Sequence, residues 1–137
     1  MKKFVLTILF AVLGLGCAFA QDKVANATSN DKPVNGPKIS FNEDIHNYGD
    51  IAKGSDGNCV FEFTNNGNEP LLLSNVRASC GCTTPSWSKE PIMPGQKGTI
   101  KVHYNTNNVG GFNKSITVTS NAVDTPRMVL KIRGKVQ

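Results

Sequence analysis

Residues 127–136 read RMVLKIRGKV, and this stretch carries the pattern that decides the fold. Apolar side chains take one set of alternate positions, and cationic side chains take the other. The apolar set is Met128, Leu130, Ile132 and Val136, and the cationic set is Arg127, Lys131, Arg133 and Lys135. Because successive side chains of a β-strand point to opposite faces, this alternation predicts a half-buried strand. We interpret its charged outer face as a solubilising surface that also discourages pairing with other strands.

The same two-residue period recurs along the chain from Ile39 onward. Its clearest apolar runs are Cys59, Phe61 and Phe63, then Ile100, Val102 and Tyr104, and then Phe112, Ile116 and Val118. Residues 65–68 predict a hairpin-type turn, and the prolines and glycine of residues 91–95 predict a long irregular crossover. The mature part of the sequence has no sustained helical period. It therefore predicts an all-β fold, an immunoglobulin-like antiparallel β-sandwich of about seven short strands over residues 39–137.

The first 20 residues, MKKFVLTILFAVLGLGCAFA, have the form of a secretory signal peptide. Two lysines precede an apolar core, and residues 18–20 form a small-x-small cleavage site. The apolar run is too short to span a bilayer comfortably, so we expect no transmembrane span in the mature chain. Cleavage before Gln21 is the favoured processing, and a lipoprotein signal with Cys17 as the lipid anchor is the alternative.

Composition and charge narrow the class of protein further. Residues 21–38 are polar and broken by prolines and a glycine, which predicts a flexible leader. Loss of Lys2 and Lys3 with the signal lowers the basic residues from 15 to 13 against 10 acids, so the mature net charge is about +3 (13 − 10). No run of consecutive basic residues stands out, which argues against nucleic-acid binding. We expect an exported protein, either periplasmic or on the cell surface.

Three cysteines remain in the mature chain: Cys59, Cys80 and Cys82. In an oxidising compartment we expect two of them to form a disulfide, and the odd number leaves one thiol over. The favoured pairing joins Cys59 to Cys80 or Cys82, as a structural bridge between strands. Thiols that are merely buried or unpaired are one alternative, and a Cys80–Cys82 bridge is another. In an extended strand their Cα atoms would lie roughly 6.5–7 Å apart, so that bridge requires a tight turn, which Gly81 permits.

As a further alternative, Cys80 and Cys82 predict a functional site in which their thiols exchange disulfides or bind a metal ion. A bridge across two residues is easily reduced, which suits redox exchange. Two thiolates on one face of a strand suit Cu(I) or Zn(II), with Cys59 or His103 as a third ligand. We expect no other cofactor.

The remaining candidate residues have simpler interpretations. Trp87, the only tryptophan, predicts either a binding surface or, as the favoured interpretation, an aromatic cap on the open end of the core. His46 and His103 are expected to make ordinary hydrogen bonds on strands. The sequence has no Ser-His-Asp or Cys-His arrangement with local support, and no paired carboxylates on a recognisable scaffold. We therefore expect a protein that is not an enzyme.

Five short motifs follow one another along the domain. They are His46-x-Tyr48-Gly49-Asp50-Ile51, Phe61-x-Phe63-x-Asn65-x-Gly67-x-x-Pro70-Leu71, Ser79-Cys80-Gly81-Cys82-Thr83, Pro91-Ile92-x-Pro94-Gly95 and Asn113-Lys114-x-Ile116. In this the chain resembles, over residues 39–136, the exported bacterial family called domain of unknown function 1573, which is related to ASH-type immunoglobulin folds. The resemblance implies an Ig-like sandwich in the cell envelope and implies no established activity.

Two functions follow from these observations. The first is a non-enzymatic binding or structural module that contacts an envelope protein or glycan through its loops or an exposed strand edge. The alternative is a thiol-based metal-binding or redox protein that uses Cys80-Gly81-Cys82.

Overall fold

The structure is a computed structural model that describes residues 35–137. The predicted signal peptide, Cys17 and residues 21–34 of the predicted leader lie outside the described residues. The described chain forms eight strands. They are β1 (Ile39–Phe41), β2 (Ile45–Ile51), β3 (Asn58–Asn65), β4 (Leu73–Ala78), β5 (Thr83–Trp87), β6 (Lys97–Tyr104), β7 (Gly110–Ser120) and β8 (Arg127–Val136). Within this range no helix is long and apolar enough to cross a membrane.

The strands form two four-stranded sheets. The first sheet has the order β1-β3-β6-β5, and the second has the order β2-β8-β7-β4. Every ladder is antiparallel except the β2–β8 pair, which is parallel. The predicted all-β Ig-like sandwich is therefore confirmed, with eight strands in place of about seven. The additional strand is β5, whose polar residues and Pro85 do not alternate with apolar ones and so do not indicate a strand.

The core lies between the sheets and is built from the inward faces that the alternation predicted. Its fully buried side chains include Phe61, Phe63, Ile100 and Val102 of the first sheet and Ile116, Val118, Leu130 and Ile132 of the second. Removing each such side chain from water stabilises the fold by about 1.5–3 kcal/mol. Tyr104 and Phe112 join the layers directly, because their rings stack with centroids 3.8 Å apart.

The turn after β3 differs from the prediction. Residues 65–68 do not form a hairpin, because β3 and β4 belong to different sheets. Instead the buried side chain of Asn65 holds a wider crossover. Its Nδ2 donates to the carbonyl oxygens of Glu69 (2.7 Å) and Ile92 (2.9 Å), and its Oδ1 accepts from the backbone N–H groups of Gly67 (2.9 Å) and Lys38 (3.3 Å). One polar side chain thus replaces the ladder bonds that a hairpin would supply.

Residues just before Ile39, the start of the predicted domain, also contact the sandwich. Gly36 and Pro37 are buried. The carbonyl oxygen of Gly36 accepts from the N–H of Asn68 at 3.2 Å, and that of Pro37 accepts from the N–H of Val123 at 2.9 Å. Composition alone places these residues in the leader, but their backbone groups hydrogen-bond to the loops at one end of the sandwich.

Candidate functional site

Residues 79–82 form a corner that carries the chain from β4, at one edge of the second sheet, to β5, at one edge of the first. Cys80 and Cys82 are joined there by a disulfide, with Cα atoms 5.4 Å apart. The turn therefore brings the two cysteines closer than an extended strand would place them. Gly81 is exposed at the tip, with open space around it. We name these four residues the cysteine corner.

The cysteine corner is anchored on both sheets. Towards the second sheet, the N–H of Ser79 donates to the carbonyl oxygen of Ser115 (2.8 Å), and the N–H of Ser115 donates to the hydroxyl of Ser79 (3.2 Å). Towards the first, the N–H of Asn105 donates to the carbonyl oxygen of Cys82 (2.9 Å). The buried Thr83 places its hydroxyl 3.8 Å from each sulfur. The corner thus holds two half-exposed sulfurs on a fixed backbone.

Cys59 is a free, buried thiol, so the favoured bridge from Cys59 is not formed. The sheet order gives the reason. Cys59 lies on β3 opposite Val102 of β6, and β6 separates β3 from β5 and the cysteine corner. Burial raises the pKa of the Cys59 thiol. Burial also raises the pKa of Tyr48, whose hydroxyl donates to the carbonyl oxygen of Gly57 at 2.7 Å.

The structure does not bring the predicted metal ligands together. The sulfurs of Cys80 and Cys82 are bonded to each other, so neither is a thiolate in this form. Cys59 lies beyond β6, and His103 is exposed, with its Nδ1 3.0 Å from the side-chain oxygen of Asn58. Across residues 35–137 no three His, Cys, Asp or Glu side chains are placed to hold a metal ion. A site using Cys80 and Cys82 stays a prediction for the reduced protein.

Trp87 lies at the end of β5, opposite Ile100, and packs against the core. It lines a cleft of about 470 Å³ at this end of the sandwich, together with Phe63, Ile92 and Gly98. Its indole Nε1 is buried and has no hydrogen-bond partner in the described chain. These contacts agree with a capping role, and a role for Trp87 in binding stays a prediction.

The two histidines do not share a site. The Nδ1 atom of His46 lies 3.6 Å from a carboxylate oxygen of Glu43, and its ring meets that of Tyr48 edge-on at 4.6 Å. His103 is held by Asn58, as described above. Both residues therefore have contacts within the fold.

The strand order shows which sheet edges are open, and this cannot be seen in the sequence. Among the strands of residues 35–137, β4 is paired on one side only, with β7. Successive backbone N–H groups of a strand point to opposite sides. The N–H of Ser79 points towards β7, where it donates to Ser115. The N–H groups of Val76 and Ala78 therefore point to the free side of β4. On β5, a backbone N–H at position 85 would likewise point to the free side of the strand, but Pro85 has no N–H. Only the strand order reveals this difference, although the absence of proline from residues 73–78 is a sequence signal.

Comparison with known proteins agrees with this fold. The model of the family described as "Protein of unknown function (DUF1573)" matches residues 39–136, which confirms the resemblance seen in the motifs. No curated protein matches the chain.

Three solved structures illustrate the fold likeness. A protein of unknown function from Porphyromonas gingivalis W83 has a TM-score of 0.65 at 16% identity, covering 74% of this chain and 47% of that one. The ASH/PapD-like domain 7 of human CEP192 has a TM-score of 0.61 at 10% identity, covering 77% and 92%. A chain of the CsuC-CsuE chaperone-tip adhesion subunit pre-assembly complex of Acinetobacter baumannii has a TM-score of 0.52 at 12% identity, covering 73% and 57%. The chain thus spans about half of the length of the Porphyromonas gingivalis protein.

Proposed function

The chain belongs to the DUF1573 family, and from that premise we propose that it is an exported, non-enzymatic binding module of the bacterial cell envelope. In this proposal, an extended segment of a partner polypeptide pairs with the free edge of β4. Adding a strand to an open sheet edge is a recurrent mode of peptide recognition.

The open edge of β4 is the observation that carries the proposal. Of the four edge strands, β1 has only three residues, and β5 carries Pro85. The parallel ladder of β2 is interrupted by a register shift. β4 has six residues without proline, and the N–H groups of Val76 and Ala78 face outward. It is therefore the edge best suited to accept another strand.

The neighbourhood of this edge supports the same conclusion. A paired segment would gain a net 0.5–1.5 kcal/mol, roughly, for each backbone hydrogen bond, so pairing alone gives modest affinity. Asn75 and Arg77 are exposed and would supply contacts to side chains of the segment. The cysteine corner ends the strand at Ala78 and would limit how far a segment extends. The Ig-like chain of the CsuC-CsuE pre-assembly complex, a chaperone bound to a tip adhesion subunit, is an example of this fold in an assembly with another polypeptide.

The test is to pan a phage-displayed library of random ten-residue peptides against the mature domain. Ala78→Pro removes one outward N–H, and Ala78→Ser is the matched control that keeps it. We expect selected peptides to bind the wild type and Ala78→Ser alike, and Ala78→Pro at least about tenfold more weakly. Amide hydrogen exchange on the wild type is the second measurement, because it does not depend on the folding of a variant. Bound peptide should slow exchange at Val76 and Ala78. Failure to select peptides, or protection confined to other strands, would refute the proposal.

Export is proposed on the form of residues 1–20, with cleavage before Gln21 and an anchor at Cys17 as the alternative. The intact mass of protein purified from the envelope distinguishes these forms, since a lipidated chain that starts at Cys17 is heavier. A chain that retains Met1 would contradict export by either route.

A second function, thiol–disulfide exchange, is favoured by the position of the Cys80–Cys82 bridge at an exposed corner. A thiolate of a partner dithiol would attack one sulfur, form a mixed disulfide and release the other sulfur as a thiolate. The second thiol of the partner would then release the reduced protein and leave the partner oxidised. Equilibration in thiol buffers, followed by alkylation, tests this function. If the bridge stays oxidised in buffers whose reduction potential is below about −300 mV, it is a structural disulfide. The Cys80→Ser/Cys82→Ser variant should keep peptide binding under the first function and lose exchange under the second.

A further inference from the structure

The outer face of the second sheet is strongly cationic. Its outward positions carry Arg77 on β4 and Arg127, Lys131, Arg133 and Lys135 on β8, all exposed. The carboxylate at the outward positions of these four strands is Asp50. Two ion pairs form within residues 35–137, His46–Glu43 and Lys97–Glu62, and neither involves this face. The charges of these five cations are therefore available to a ligand.

A shallow depression of about 560 Å³ lies at one end of this face. The strand register sets Asn47, Arg133 and Asn113 side by side across β2, β8 and β7, and Lys135 lies along β8 from Arg133. Gly49, with a φ of 67°, belongs to the bulge that shifts the register of β2, and the depression opens beside it. A guanidinium flanked by two carboxamides thus forms its wall.

The rest of the face is flat and polar. Ser115, Thr117 and Thr119 form a stripe of hydroxyls along the outer side of β7, next to the cations of β8. The outward positions of the four described strands carry no aromatic side chain, and their exposed apolar residues, Ile45 and Val129, lie on different strands. A membrane-binding face ordinarily presents aromatic or several large apolar side chains beside its cations, whereas this face has no aromatic side chain and only Ile45 and Val129 as exposed apolar ones.

We propose that this face binds a carboxylate-bearing polysaccharide, with the Arg133 depression as its most specific point. The planar guanidinium of Arg133 would pair with a sugar carboxylate in bidentate fashion. The carboxamides of Asn47 and Asn113 have both donors and acceptors, which suits sugar hydroxyls. Lys131 and Lys135 stand about 6.5–7 Å to either side of Arg133, since outward residues of a strand alternate, and they would meet further carboxylates of the same chain. Asp50 would repel a carboxylate at the rim of the depression.

The test is titration of the isotopically labelled mature domain with oligomers of polygalacturonate, followed by NMR. Dextran is the neutral control, and vesicles of equal parts phosphatidylglycerol and phosphatidylcholine test the membrane. We expect shifts at Asn47, Asn113 and Arg133 with polygalacturonate, none with dextran, and weaker binding as salt rises. Asp50→Asn should strengthen binding.

The triple variant Lys131→Gln/Arg133→Gln/Lys135→Gln should weaken polygalacturonate binding at least about tenfold. Lys89→Gln/Lys97→Gln/Lys101→Gln is the matched control, because it removes the same charge from exposed positions on and beside the first sheet and should change affinity less than about twofold. Equal losses in both variants would show a net-charge effect and overturn the proposal. Binding to the vesicles without binding to polygalacturonate, or shifts confined to other surfaces, would overturn it too. Ala78→Pro should leave glycan binding unchanged, which separates this inference from the proposed peptide site.

Discussion

Replacing Asn65 with leucine removes four hydrogen bonds from the interior with little change in side-chain size. The Asn65 side chain is fully buried, donates to two carbonyl oxygens and accepts from two backbone N–H groups. At about 1 kcal/mol net for each bond, the variant should lose about 4 kcal/mol of unfolding free energy. A domain of this size has roughly 5–15 kcal/mol in total, so the variant is expected to be near the limit of stability. With a urea dependence of about 2 kcal/mol per molar, the midpoint should fall by roughly 2 M.

Urea unfolding followed by the fluorescence of Trp87, the only tryptophan, measures this loss. Asn66→Leu is the matched control, because the neighbouring side chain is exposed and should change stability by less than about 0.5 kcal/mol. Asn65→Asp gives a second readout. At pH 7 its carboxylate would face the carbonyl oxygens of Glu69 and Ile92, and its protonated form would restore one donor, so its deficit should shrink as the pH falls towards about 4. An Asn65→Leu variant within about 0.5 kcal/mol of the wild type would refute this account of the crossover.

Three further predictions follow from the same geometry. Gly67→Ala should destabilise the domain by about 1–3 kcal/mol in urea unfolding, because a Cβ there would collide with the carbonyl oxygen of Gly36; Gly81→Ala, in open space, is the control and should be nearly neutral. The pKa of the Cys59 thiol is raised in the fold above its ordinary value of 9.0, so the unfolded chain loses this proton first. The contribution of this thiol to the free energy of unfolding should therefore be constant below pH 9 and should be lost as the pH rises through the folded pKa. The free energy of unfolding of Cys59→Ala should fall less steeply over this range. Equal slopes for the wild type and the variant would contradict a raised pKa for Cys59. In the native mature protein Cys59 should resist a thiol reagent at pH 8 and react with it after unfolding in urea, whereas rapid reaction of the native thiol would contradict its burial.

The alternation of apolar and polar residues predicts most of this fold because it is a local signal. It identifies the long strands and their inward faces, as β8 shows with buried Leu130, Ile132 and Val136. It fails where tertiary neighbours decide the outcome. Thr83–Trp87 becomes a strand by pairing with β6, and residues 65–68 become a crossover because the next strand joins the other sheet.

The candidate site was less predictable for the same reason. The sequence singles out Cys80-Gly81-Cys82 by its spacing, but the pairing depends on strand order, which places β6 between Cys59 and the cysteine corner. The open edge of β4 and the row of Asn47, Arg133 and Asn113 also exist only through register. The structure explains why the motifs of residues 61–71 and 91–95 occur together. Gly67 of the first motif, and Ile92 and Gly95 of the second, all hydrogen-bond to Asn65.

The place of β8 in the second sheet has a consequence for the order of folding. β8 leaves the ribosome after the other seven described strands, yet it lies between β2 and β7. Until it emerges, β2 has no partner in its own sheet, and the chain must close a loop of about 85 residues (131 − 45 = 86, 136 − 51 = 85) to form the parallel pair. The second sheet is therefore expected to form only after β8 has emerged and to form slowly, as in other sandwiches of high contact order. A chain truncated before Arg127 is therefore expected to leave β2 without a neighbour in its sheet.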